Sequence, residues 1–179
     1  KVMAFENDIL NYAKPAALRE LKELTDFAKK NGFEENVLQR WDASYYSEKL
    51  KKEKYSINDE LLKPYFKLEN VLDGLFTLTN KLYGLTFKEN KTIPVWNPEV
   101  KAYEIFDEKG KLLAVWYGDY FPRAGKRAGA WNTGTLSQHF EGTKDIRPHV
   151  INVCNFTRPT DTKPSLLTFR EVETLFHEF

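Results

Sequence analysis

The residues with the most chemical promise lie at the end of the chain. His177 and Glu178 fall in Thr168-Phe169-Arg170-Glu171-Val172-Glu173-Thr174-Leu175-Phe176-His177-Glu178-Phe179. Metal-dependent hydrolases that read His-Glu-x-x-His along a helix present two imidazoles on one face, because positions i and i+4 coincide there. The intervening Glu, one step round, serves as general base toward the attacking water. This chain supplies His177-Glu178-Phe179 and stops two residues before the second His of that pattern. A lone His is a poor zinc site. A His-Glu pair also arises by chance in roughly one such chain in five, so by itself it fits a surface helix as well.

Other candidates carry less. Arg123, Lys126 and Arg127 lie among Gly125, Gly129 and Gly134. They read either as a mobile loop that meets an acidic peptide end or as a solvated one. The stretch Val150 to Phe156 alternates as a strand, either an exposed edge for an extended substrate or wholly paired within a sheet. Lys49, Lys51, Lys52 and Lys54 are interleaved with Glu48 and Glu53, the pattern of a solvated helix face. His139 and His149 have no partner at ligand spacing. Cys154 reads as a small buried apolar group, since no activating base can be placed beside it.

The elements that must position these residues follow from periodicity. Leu10, Ala13, Ala17, Leu21, Leu24 and Ala28 recur at helical steps, with Asn31-Gly32 as the stop. Asp42 is expected to cap a helix running to about Lys54. A helical turn is expected from Asn58 to Lys63, ended by Pro64. Leu68, Val71, Leu72, Leu75, Leu78 and Leu82 form a second stripe, closed by Gly84. Beyond Pro94 the period becomes extended. Ala102 to Asp107 and Lys111 to Phe121 predict a hairpin about Glu108-Lys109-Gly110. Pro122 to Gly134 reads as a long loop, and another loop holds Pro159 and Pro164. Thr168 and Glu171 form a capping box that opens a helix whose apolar face is Val172, Leu175, Phe176 and Phe179. The expected class is α+β, mainly helical: helices, then a small antiparallel sheet, then the start of a last helix.

Bulk composition narrows the function. The 179 residues hold 27 Lys plus Arg and 26 Asp plus Glu, a net charge of +1 that gives no electrostatic case for nucleic acid. Hydrophobic residues make up 41% and charged residues 30%, an ordinary globular mixture. No run approaches the roughly 18 to 20 apolar residues of a membrane span. No export signal opens the chain, and its single cysteine fits a reducing compartment, so a cytoplasmic location is expected. Aromatics reach 15%, with the Trp and Tyr residues expected mostly in the core. The absence of an initial Met and the break inside a helix suggest a piece of a longer protein.

The segment ending at Phe179 resembles the zinc-helix stretch of the thimet oligopeptidase family of metallopeptidases, E-V-x-T-L-F-H-E-F-G-H. The resemblance extends upstream in one order. It takes in Trp41-Asp42, Tyr45-Tyr46, Glu48-Lys49-Leu50 and Pro64-Tyr65-Phe66, then Val95-Trp96-Asn97-Pro98-Glu99-Val100 and Glu104-Ile105-Phe106-Asp107. Tyr117-Gly118-Asp119-Tyr120-Phe121, Gly129-Ala130-Trp131 and Asn152-Val153-Cys154-Asn155 follow. The Val95 to Asp107 stretch is most similar to the peptidyl-dipeptidase (dipeptidyl carboxypeptidase) branch.

The resemblance implies a larger, mostly helical, two-lobed zincin with a deep channel and one zinc ion. Residues 1–90 would form its helical part, 91–160 the hairpin, sheet and glycine-rich loop, and 168–179 the start of the active-site helix. His177 would be the first zinc ligand and Glu178 the general base. The remaining ligands and oxyanion-stabilising groups would lie in the remainder of the chain beyond Phe179. The implied activity is hydrolysis of short peptides with release of C-terminal dipeptides, and this segment alone is expected to be inactive and to retain zinc poorly. The alternatives are a noncatalytic aromatic-rich module that binds peptide or glycan, with an incidental His-Glu pair, and a decayed relative without the metal.

Overall fold

The computed structural model describes residues 1–56 and 59–179. The chain divides into two compact units, Lys1–Asn58 and Asp59–Phe179.

The first unit is a pair of helices, α1 (Val2–Lys30) and α2 (Arg40–Tyr55). α1 ends where expected: Gly32 takes φ +88°, a left-handed value that suits a residue without Cβ. Only the last part of its apolar stripe is covered. Phe27 and Ala28 pack with Tyr46, backed by Leu24, Phe33, Leu38 and Leu50, while Phe5, Leu10 and Leu21 remain exposed. Asp42 does not cap α2 as expected. Gln39 is the N-cap, and Asp42, three residues in, accepts a hydrogen bond from the Gln39 backbone N–H at 3.0 Å. An acid in the first turn serves this role as well as it serves a cap, and the two positions share one sequence signal.

The second unit carries the site. Of the expected turn from Asn58 to Lys63, Asn58 lies outside the described residues. α3 spans Asp59–Leu62, and Pro64 falls inside a 3-10 turn, Lys63–Tyr65, rather than ending the element. α4 (Leu68–Tyr83) closes at Gly84, φ +68°. Seven strands follow: β1 (Thr86–Glu89), β2 (Lys101–Phe106), β3 (Leu112–Asp119), β4 (Trp131–Leu136), β5 (His139–Glu141), β6 (Lys144–Ile146) and β7 (His149–Val153). α5 (Phe169–Glu178) comes last.

The main sheet has the order β1-β2-β3-β7-β4, and β5 and β6 form a separate two-stranded ribbon. The expected hairpin is β2–β3. The sheet is mixed rather than wholly antiparallel, because β3 and β7 run parallel, Trp116 opposite Val150. Of the two readings of the Val150–Phe156 stretch, the wholly paired strand is the one observed, since β7 pairs with β3 on one side and β4 on the other. The open edges are β1 and β4. Trp131 to Gly134, read as the end of a long loop, belongs to β4.

Alternation along the strands divides the core between two faces. Tyr103 and Trp116 point toward α4, where Leu68, Val71, Leu72 and Leu75 meet Cys154, Phe156, Leu167 and Leu175. Ala102, Val115, Tyr117, Ile151 and Val153 face the other way, with Val100. Phe76 stacks on Phe87 at 4.3 Å and meets Trp116 edge-on at 5.9 Å. The aromatic residues are divided more evenly than expected: Tyr103, Trp116, Tyr117 and Tyr120 are buried, but Trp41, Trp96, Tyr12, Tyr45 and Tyr65 are exposed. Among the described residues no helix is long and apolar enough to cross a membrane.

Candidate active site

α5 is held at its start, along its inner face and at its end. At the start the capping box is present: Thr168 N–H donates to Glu171 Oε2 at 2.7 Å, and Glu171 N–H donates to Thr168 Oγ1 at 3.2 Å. Along the inner face Leu175 is fully buried and Val172 packs against the same cluster. At the end Phe179 meets Trp116 edge-on at 5.2 Å and Phe87 at 5.7 Å. Of the expected apolar face, Val172, Leu175 and Phe179 are therefore covered, and Phe176 stays exposed.

These contacts set the rotation of the helix. With Val172, Leu175 and Phe179 turned inward, His177 is turned to solvent and Glu178 is half-buried. Both border a shallow cleft of about 310 Å³ with Arg170, Glu173 and Thr174. The imidazole of His177 makes no hydrogen bond among the described residues. As a metal site the arrangement is partial. An imidazole with free ring nitrogens is a suitable donor, but no group of three His, Cys, Asp or Glu among the described residues can hold an ion. His139 and His149 contribute nothing there: His149 Nδ1 pairs with the Tyr117 hydroxyl at 2.9 Å, and His139 Nδ1 faces the Ser137 carbonyl at 2.9 Å.

The other side of α5 opens on a cavity of about 480 Å³ lined by Leu75, Thr79, Trp116, Asn132, Phe176 and Phe179, among others. The open-edged β4 and the last turn of α5 thus border one space. Two polar knots fix that edge.

The first knot is Asn152, 0% exposed. Its Oδ1 accepts from Trp116 Nε1 at 3.1 Å and from Asn132 Nδ2 at 2.7 Å. One amide oxygen therefore joins β7 to the ring that seats Phe179 and to the edge strand.

The second knot is Asp119 at the end of β3. Its carboxylate takes a two-pronged contact from Arg123 at 2.7 and 2.8 Å, one from Lys126 at 2.9 Å and one from Trp96 Nε1 at 3.1 Å. Lys126 also donates to the carbonyls of Asp119 and Phe121, at 3.0 and 2.7 Å, so its three protons are all used. Burial pushes the Asp119 carboxyl up, but the hydrogen bonds from Arg123, Lys126 and Trp96 outweigh it and hold the pKa below the usual carboxylate value. From the other side, Asn155 Nδ2 donates to the carbonyls of Arg127 and Gly129, at 3.0 and 2.7 Å. The loop, read either as a mobile one that meets an acidic peptide end or as a solvated one, is tied down, and Arg123 and Lys126 are occupied by Asp119.

Asp119, Asn152 and Asn155 were not singled out from the sequence, although each falls in a recognisable motif. For Asp119 a signal exists: one acid followed by cations four and seven residues later, in a stretch otherwise apolar or glycine-rich. Cys154 is buried as expected, with its thiol pushed up by burial to about 12.

The whole chain, residues 1–179, matches the model of peptidase family M3, and the chain belongs to that family. It is 42% identical to "Oligopeptidase A" of Escherichia coli over all of its length and 26% of the relative's. It is 39% identical to "Dipeptidyl carboxypeptidase" of Salmonella typhimurium over 99% of the chain and 26% of the relative. A "Thimet-like oligopeptidase" of Dictyostelium discoideum matches at 33% over 99% of the chain and 28% of its own length. The chain thus spans about a quarter of the curated relatives it matches. Oligopeptidases and dipeptidyl carboxypeptidases match at similar identity, so identity alone does not separate the two activities.

Proposed function

We propose that the full-length protein is a zinc-dependent peptidase of short peptides that releases C-terminal dipeptides, with His177 as one metal ligand and Glu178 as general base. The observation that carries this reading is the setting of α5. A capped, core-anchored helix turns His177 and Glu178 out together into one cleft, inside a chain that belongs to a peptidase family. When bound, the zinc ion supplies a Lewis acid that polarises the scissile carbonyl and makes water a better nucleophile near neutral pH.

The chain's own residues supply the rest. The Glu178 carboxylate takes a proton from the attacking water and passes it to the leaving amine. The imidazole of His177 offers a nitrogen lone pair to the metal. β4 is paired on one side only, and its free edge gives an extended peptide backbone hydrogen bonds beside the end of α5. The remaining ligands would come from the remainder of the chain beyond Phe179. The reading carries no nucleic acid, no membrane and a cytoplasmic location.

The test is hydrolysis of short peptides by the full-length protein loaded with zinc. Glu178→Gln is expected to lower kcat by at least about a hundredfold with metal content unchanged, and His177→Ala to lower bound zinc. Full activity in Glu178→Gln, or full zinc content in His177→Ala, would overturn the assignment. Products read by mass spectrometry decide between dipeptide release and internal cleavage.

A further inference from the structure

Arg127 is the one cation of the loop over residues 122–130 that Asp119 does not hold. It is exposed, and among the described residues no carboxylate pairs with it. Its guanidinium instead lies over the ring of Trp131, with Cζ 4.4 Å from the centroid. A guanidinium stacked on an indole spends its face on the ring and leaves its in-plane N–H edge free to donate. That edge matches a carboxylate, which accepts two parallel hydrogen bonds.

The platform is rigid. Trp131 opens β4 and pairs with Val153 of β7. The carbonyl of Arg127 is itself held by Asn155 at 3.0 Å. The loop on its other side is fastened through Lys126 and Arg123 to Asp119. A charged group held this way loses little conformational freedom when a ligand arrives. The strand beside it is one of the sheet's two open edges, so a chain lying along β4 passes the free guanidinium.

We propose that Arg127 is a specificity-determining residue that selects peptides placing a carboxylate beside Trp131 at the start of β4. The proposal rests on the reading of the full-length protein as a peptidase whose substrate runs along that edge. The carboxylate has two possible sources, an Asp or Glu side chain and the peptide's C-terminus.

The experiment uses the full-length, zinc-loaded protein and short peptides in two matched sets: Glu against Gln scanned along the peptide, and free C-terminus against C-terminal amide. Binding is read by anisotropy of labelled peptides on the Glu178→Gln protein, and hydrolysis on the unsubstituted one. The expected result is a preference of tenfold or more for the carboxylate member of at least one set. Arg127→Gln should collapse it to less than threefold, and Arg127→Lys should retain part of it. A preference in the Glu set assigns the side chain, and one in the C-terminus set assigns the terminal carboxylate.

Equal affinity for both members of each set, no peptide binding at all, or a preference that survives Arg127→Gln overturns the proposal. Carboxylate-selective binding with no hydrolysis by the unsubstituted protein overturns the peptidase reading and leaves the role of Arg127 standing. Hydrolysis without carboxylate selectivity does the reverse.

Discussion

The ammonium of Lys126 stands 2.9 Å from Oδ1 of Asp119, and both side chains are 4% exposed. This ion pair fastens the glycine-rich loop to the end of β3. Breaking a buried pair from one side leaves the other charge without compensation, a loss of about 3–5 kcal/mol. Lys126→Met and Asp119→Asn are each expected to lower the midpoint of urea unfolding, with Lys126→Met milder because Arg123 still holds the carboxylate.

The same knot sets a pH dependence. The folded pKa of Asp119 is depressed, so its contribution is fully present above the unfolded carboxylate value of about 4 and is lost as pH falls from there through the folded pKa. Unfolding free energy measured from pH 6 down to pH 2 should fall less steeply in Asp119→Asn than in the unsubstituted protein. Parallel curves would remove Asp119 from the acid sensitivity.

Gly118 is required for space rather than for an unusual φ. A Cβ at this position would run into the hydroxyl end of Tyr120, itself 1% exposed and unable to step aside. Gly118→Ala is expected to cost about 1–3 kcal/mol through overpacking. Gly125→Ala, with nothing near its Cβ but a φ of +78°, should lose less, about 1 kcal/mol from backbone strain alone. Thermal unfolding of the two variants checks the order.

Asn152 is 0% exposed and accepts from two donors at one oxygen. Asn152→Leu leaves the indole N–H of Trp116 buried without an acceptor, an expected loss of about 1–3 kcal/mol. Asn152→Asp keeps the acceptor but should lose more at neutral pH than at pH 4, because burial favours the protonated carboxyl and the ionised one must be desolvated. Near-ultraviolet circular dichroism, which reports the setting of Trp116, distinguishes the two.

Cys154 is 0% exposed, and its thiol is pushed up to about 12. The thiolate is the reactive form, so alkylation at pH 8 should leave Cys154 unlabelled in the folded protein and label it after denaturation, read by peptide mass spectrometry. Rapid labelling of the folded protein would contradict the burial.

The setting of His177 and Glu178 was legible because a helix start and an apolar period are local. Thr168, Glu171 and the spacing of Val172, Leu175 and Phe179 foretell α5 and most of the face that turns inward, although Phe176, counted in that face, stays exposed. Local signals also carry α1, α4 and the β2–β3 hairpin. Asp42 misled because an acid in the first turn supports a helix from more than one position.

Strand pairing is another matter. Val150 to Val153 alternate in the same way whether the neighbour runs parallel or antiparallel, and whether one edge is covered or two. Only the assembled sheet places β7 between β3 and β4 and so moves the open edge to β4. Charge assignment also waits for the fold, although its partners lie within seven residues of one another. Arg123, Lys126 and Arg127 are alike in sequence, but one buried carboxylate takes two of them and an indole face takes the third. By itself the sequence determined the helices, the hairpin and the outward His-Glu pair, since each depends on neighbours within a few residues. Which strand is left open depended on contacts between segments tens of residues apart, and which cation is left free depended on how the loop folds back on Asp119 a few residues away; both exist only in the folded chain.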